Sequence, residues 1–160
     1  MIHISWNREE ITMKKILFAT SEAVPFIKTG GLADVAGSLP KFFDKEKYDV
    51  RVMLPKYMCM KESWKEKLQY KTHFYMDLGW RTQYVGVLET EYEGVTFYFI
   101  DNEQYFRRPG LYGYDDDYER FAYFDFAVLE LISHLNIQPD ILHLHDWQTA
   151  MIAMLYKERY

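Results

Sequence analysis

Lys28-Thr29-Gly30-Gly31 sets one cation at the mouth of a glycine turn, and Asp34 follows three residues after the second glycine. A strand, a glycine turn and a helix N-terminus together form a ready anion site, because free N–H groups and the helix dipole favour negative charge. The lysine adds a charge suited to a phosphate-bearing ligand. The spacing fits neither usual nucleotide fingerprint. G-x-G-x-x-G is absent, and so is G-x-x-x-x-G-K-[ST], since here the lysine precedes the glycines. Gly-Gly loops between strand and helix are also common structural turns, so the residues alone leave both readings open.

A second group is His143-Leu144-His145-Asp146. Residues two apart on a strand point the same way, so the two histidines share a face and, with the carboxylate, could hold zinc. A hydrolase resembling H-x-H-x-D-H needs a further histidine, and position 148 is Gln. No metal is therefore expected. The plainer reading packs His143 in the core, with His145 and Asp146 hydrogen-bonding loop backbone at the strand end. Asp115-Asp116-Asp117 reads as a solvated helix start. Glu22 is a candidate loop-ordering carboxylate, and Tyr112 and Tyr114 are candidate loop anchors. Met151 and Met154 are expected to face the core. No serine sits in a nucleophile elbow.

These groups need elements to hold them. Ile16 to Thr20 reads as a buried strand, and apolar residues at 32, 35, 36, 39, 42 and 43 give a helix that Pro40 should kink or shorten. Asp49 to Leu54 alternates and ends at Pro55, so strand, helix and strand suggest a right-handed parallel crossover. Residues 56–72 fit no period clearly. Tyr84 to Leu88 and Val95 to Ile100 bracket Glu93-Gly94, a hairpin signal. Residues 101–117 read as a loop. Asp117 then caps a helix carrying Phe121, Phe124, Val128, Leu131, Ile132 and Leu135. Asp140 to His145 is a third buried strand, and a last helix opens at Asp146 or Trp147. The fold expected is α/β, Rossmann-like, with a mostly parallel sheet and an antiparallel hairpin excursion. Ligands in such sheets sit beyond the carboxyl ends of the strands, where loops 20–31 and 145–148 both lie.

Length and charge narrow the classes. At 160 residues, with 49% hydrophobic and 27% charged residues, the chain is one globular domain and not a disordered segment. A net charge of −5 without a basic cluster argues against nucleic acid. No apolar run approaches the ~18 residues of a membrane span. Residues 1–12 form a polar leader without the layout of a secretory signal, and Met13-Lys14-Lys15 resembles a natural start. The single Cys59 allows no internal disulfide. A cytoplasmic location is expected.

ATSEAVPFIKTGGLADVAGSLPK, DVRVMLPKY, YFIDNEQYFRRPGLYGY and PDILHLHDWQTAMI occur in this order. They resemble successive blocks of the bacterial glycogen synthases and plant starch synthases, over essentially residues 13–160. The resemblance implies part of the N-terminal domain of a GT-B fold, in which two Rossmann-like domains flank the active site. It implies glucose transfer from ADP-glucose to the non-reducing end of an α-1,4-glucan, with retention and without a cofactor or required metal. Lys28 and Asp146 match catalytic positions. Lys28, Thr29, Gly30, Gly31 and Asp34 match the donor-binding motif, and Tyr112, His145 and Trp147 the sugar side. The family's later V-H-N motif and C-terminal domain are not in this sequence, so the expected partner is that missing domain, and the chain alone is expected to be inactive. Two other classes remain: a stand-alone carbohydrate-binding module using the same aromatic residues, and a metallohydrolase built on the histidine pair. A dinucleotide oxidoreductase is disfavoured by the missing glycine fingerprint.

Overall fold

The computed structural model describes residues 12–159, so the expected polar leader lies, apart from Thr12, outside the described residues. Six strands form one sheet: β1 (Lys14–Ala19), β2 (Tyr48–Pro55), β3 (Gln69–Leu78), β4 (Arg81–Tyr92), β5 (Val95–Asp101) and β6 (Ile141–Leu144). Their order across the sheet is β3-β4-β5-β2-β1-β6. β5, β2, β1 and β6 pair in parallel, and β4 and β3 add antiparallel partners beyond β5. This is the expected mostly parallel sheet with its hairpin excursion.

Strand β1 shows why the sheet is central. Ile16 to Ala19 are all buried, which a strand achieves only when both its faces are covered. The two-residue alternation divides them. Leu17 and Ala19 join a core under helix α4 (Asp117–His134), while Ile16 and Phe18 join a second core with Phe26 and Ala36. Ala36 belongs to helix α1 (Gly31–Ser38). The helix expected as far as Phe43 gives way to a 3-10 turn at Leu39–Phe42, because Pro40 has no N–H to continue the ladder.

Elsewhere the structure adds to the pattern or corrects it. Residues 56–72 hold a one-turn helix, α2 (Glu62–Lys65), and the start of β3. β3 escaped notice because only Phe74 and Met76 are buried in it, too few apolar residues to mark a period of two. Residues 101–117 contain a short helix, α3 (Glu103–Phe106), whose cap Asn102 accepts the Gln104 N–H at 2.9 Å. Glu93 and Gly94 have φ of 51° and 74°, the paired left-handed conformation that matches strand twist in a two-residue hairpin.

Two expectations are overturned. β6 is the edge strand beside β1, and Ile141 is half exposed, so the third strand is not a fully buried one. In helix α5 (Ala150–Arg159) Ile152, Leu155 and Tyr156 turn inward at helical spacing, which leaves Met151 and Met154 on the solvent side.

Gly37 sets how closely α1 approaches the preceding loop. A Cβ there would lie 2.1 Å from the Val24 carbonyl oxygen, and that residue's N–H donates to Ala33 O at 3.0 Å. Gly37→Ala should therefore force loop and helix apart and lower stability by about 1–3 kcal/mol, the usual penalty of overpacking. Urea unfolding of the parent and the variant measures it.

Candidate functional site

The chain leaves β1 at Ala19 and enters the glycine turn through Glu22, a buried carboxylate. It accepts both the backbone N–H of Thr29 and, at 2.9 Å, the Thr29 hydroxyl. Glu22 thus orders the loop, and Thr29 is held by it. Gly30 is the extended N-cap of α1 and makes no side-chain cap. A Cβ at Gly30 or Gly31 would meet nothing within 4 Å, so the first turn of α1 opens onto free space. Lys28 Nζ lies 2.7 Å from each Asp34 carboxylate oxygen. Both partners are about half exposed, at 50% and 54% of their side chains.

The second turn follows β6. His145 N donates to Ala19 O at 3.2 Å, which ties the end of β6 to the end of β1. Asp146 then adopts φ 63° and ψ −173°, a region occupied almost only by glycine. Holding a side chain there costs on the order of 1–3 kcal/mol. Three contacts impose it. Asp146 Oδ1 accepts Trp147 N at 2.7 Å, Thr149 N donates to Asp146 O at 3.3 Å, and the Thr149 hydroxyl donates to His145 O at 2.9 Å.

His145 does not face the open space. It is 8% exposed, with its ring 4.6 Å from His143 and 5.5 Å from Phe18. Burial, reinforced by His143, lowers its pKa to about 4, so it supports the turn from beneath as a neutral ring. The two histidines stack and do not converge, and the described residues contain no group of three or more His, Cys, Asp or Glu able to hold a metal ion.

Aromatic side chains join the turns. The Tyr112 hydroxyl lies 2.7 Å from Ser21 Oγ, its ring packs on Phe121 at 5.9 Å, and Phe121 meets Trp147 at 5.2 Å. Trp147 is half exposed and faces Tyr118 at 6.4 Å. Burial raises the Tyr112 phenol to about 12, with the Ser21 bond opposing and the charges of Glu22, Asp146 and Asp117 adding to the rise. Tyr112 therefore feels carboxylates of both turns. Lys28, Thr29, Gly30, Gly31 and Asp34 form one cluster; Tyr112, Asp146 and Trp147, backed by His145, form the other. Glu22 links them.

Arg120 went unnoticed in the sequence. It is fully buried in α4, where Nε donates to Tyr105 O at 2.7 Å and Nη1 to Leu111 O at 2.9 Å and Asp117 Oδ1 at 2.5 Å. These bonds position the loop that delivers Tyr112. A signal existed: residues 120, 124, 127 and 131 share a helical stripe, so a charge at 120 sits among core positions.

Fold and site together define a Rossmann-like α/β domain whose sheet carries, at the carboxyl ends of its strands, a lysine–glycine turn after β1 and an acid–tryptophan turn after β6. A family model described as the starch synthase catalytic domain matches residues 15–160. The chain belongs to that family. It is 60% identical over 149 residues to a glycogen synthase of Lachnospira eligens, covering 92% of this chain and 31% of that protein. A glycogen synthase of Lachnoclostridium phytofermentans is 56% identical over the same length and shares. Among solved structures, the catalytic domain of starch synthase IV from Arabidopsis thaliana, bound to ADP and acarbose, superposes with a TM-score of 0.82 at 33% identity, over 92% of this chain and 31% of that one. The chain thus spans about a third of the length of these relatives, and its architecture is that of a GT-B domain fragment.

The start of α5 rests on Asp125, whose Oδ2 accepts Met151 N at 3.1 Å. Burial raises this carboxyl from its ordinary 3.8 to about 8, although amides of Met151 and Ile152 pull the other way. Between those values the folded chain keeps a proton that the unfolded chain releases, so raising pH removes stability. His145 acts oppositely: the unfolded chain binds its proton below about 6.5 and the folded chain only near 4, so lowering pH removes stability in that window. The two offset one another between about pH 4 and 6.5. In Asp125→Asn, the decline between pH 6.5 and 8 should vanish and the acid loss from His145 should emerge. Urea unfolding of both proteins from pH 4 to 8 reads the difference.

Proposed function

We propose that the chain is the acceptor-side part of a glucan synthase that transfers glucose from ADP-glucose to the non-reducing end of an α-1,4-glucan with retention, working with a second GT-B domain. One observation carries the reading. The Lys28–Gly31 turn and the strained Asp146–Trp147 turn stand at the carboxyl ends of adjacent parallel strands, the ligand edge of such a sheet. Membership of the starch synthase catalytic domain family supports it.

The residue types suit the chemistry. Departure of ADP builds negative charge on its pyrophosphate, which a positioned ammonium and the free N–H groups of α1 stabilise. Asp34 keeps the Lys28 ammonium at the mouth of the turn. Because that pair is half exposed, it is worth at most about 1 kcal/mol, so a phosphate can take the ammonium over at little cost. Asp146 is held in a conformation that the turn imposes, beside the half-exposed Trp147, whose ring suits a sugar face. Tyr112 closes the floor between the turns. A cytoplasmic setting belongs to the same proposal; the described residues contain no helix long and apolar enough to cross a membrane.

A chimera of this chain with the remaining two-thirds of the Lachnospira eligens relative tests the reading. It should transfer labelled glucose from ADP-glucose to glycogen, and the 160-residue chain alone should not. In the chimera, Lys28→Ala should lower kcat/KM about 100-fold, the scale of losing one charge-stabilising donor, while the unfolding midpoint stays within a few degrees. An unchanged kcat/KM removes Lys28 from the site. Glycogen binding without transfer, abolished by Trp147→Ala, would instead identify a binding module.

A further inference from the structure

We infer that two copies of this chain pair through the outer edge of β3, joining their sheets into an antiparallel dimer. β3 ends the sheet, and among the described residues it pairs with β4 alone. Its other side therefore presents backbone N–H and C=O groups to any strand that can meet them. Natural edge strands are blunted by shortness, proline, inward charges or a bulge. This one has ten residues, QYKTHFYMDL, with neither proline nor glycine. Its register shift lies between Tyr70 and Thr72, which leaves Thr72 to Leu78 in regular pairing. The inward positions of that stretch are Thr72, Phe74, Met76 and Leu78, all uncharged, and the exposed ones alternate as Lys71, His73, Tyr75 and Asp77. The opposite end of the sheet offers only the four residues of β6.

Charge complementarity selects a second copy as the occupant and fixes the register. In a two-fold antiparallel pair, residues that face one another must share a face of the pleat, so the axis passes through a residue. An axis at His73 sets Lys71 against Tyr75 and Asp77 against Gln69. An axis at Tyr75 sets Lys71 against Gly79 and Asp77 against His73. An axis at Phe74 sets Lys71 against Asp77 twice, His73 against Tyr75 twice, and Phe74 against its own copy. Directly opposed unlike charges and aromatic pairs are the contacts that stabilise a ladder, and this register alone of the three supplies both charge pairs. Neither charge must leave its present partner. Lys71 lies 3.1 Å from Glu89, but an ammonium has three N–H donors. Asp77 Oδ1 accepts the Thr82 hydroxyl at 2.8 Å, and a carboxylate accepts several bonds. Lys71 and Asp77 also cancel, so the chain's net charge of −5 is not concentrated at the join. β3 runs in the direction of β5, so antiparallel pairing points the carboxyl edges of the two copies opposite ways and leaves both pairs of turns uncovered.

Sedimentation equilibrium of the 160-residue chain over a concentration series at pH 7 tests the proposal. The unaltered chain should follow a monomer–dimer equilibrium. Lys71→Glu and Asp77→Lys should each raise the dimer Kd at least tenfold with unchanged far-UV circular dichroism, because each sets like charges opposite one another twice. An equimolar mixture of the two variants should regain the dimer, since every opposed pair is then of unlike sign. In the unaltered chain, hydrogen exchange of β3 amides should slow as concentration rises while that of β6 amides does not, a reading that needs no variant to fold. A monomer at every concentration overturns the interface. So does a dimer that neither reversal weakens, a mixture of the reversed variants that stays monomeric, or assembly that runs on past two copies.

Discussion

A buried cation holds this architecture in place. The Arg120 guanidinium lies wholly inside the protein, so its charge must be met by Asp117 and by the carbonyls of Tyr105 and Leu111. Those three partners lie on α4, at α3 and in the loop between them, and one side chain therefore fixes the path of residues 105–117. Rings of Phe106, Tyr114 and Phe121 pack around the guanidinium and keep water from substituting for any partner. Once this path is set, Tyr112 arrives against Ser21, and through Phe121 its ring is joined to Trp147 of the second turn.

The two turns are built differently, and the difference suits their proposed roles. Around Lys28 the binding group is weakly held, by an exposed pair that a ligand can exchange. Around Asp146 the group is strongly held, by a backbone conformation that three hydrogen bonds enforce against its intrinsic preference. A movable cation is suited to a charge that appears during reaction. A rigid carboxylate is suited to a fixed sugar geometry. Glu22, buried and doubly hydrogen-bonded by Thr29, fixes the glycine turn without taking up the lysine.

Much of this was legible beforehand. Strands with continuous apolar runs, the long α4 stripe and the Glu93-Gly94 hairpin announce themselves through local pattern, because period and turn chemistry are properties of a few neighbouring residues. β3 was not legible: its outer face carries rings and charges where a core strand would carry aliphatics. β6 and α5 were misjudged in burial, not in type, since DILHLH has the same pattern in the centre of a sheet as at its edge.

Residue order alone determined which groups are present and how many residues separate them: the lysine before its glycines, the two histidines on one strand face, the acid and tryptophan after them. Only the tertiary structure decided what each group meets. Parallel pairing of β1 with β6 sets turns more than a hundred residues apart at one edge, and it brings the His145 ring against Phe18 of β1 and ties the turn at Asp146 to the end of β1. Spacing along a chain constrains neighbours; contacts between distant segments depend on how two cores close over the sheet, which no local pattern encodes.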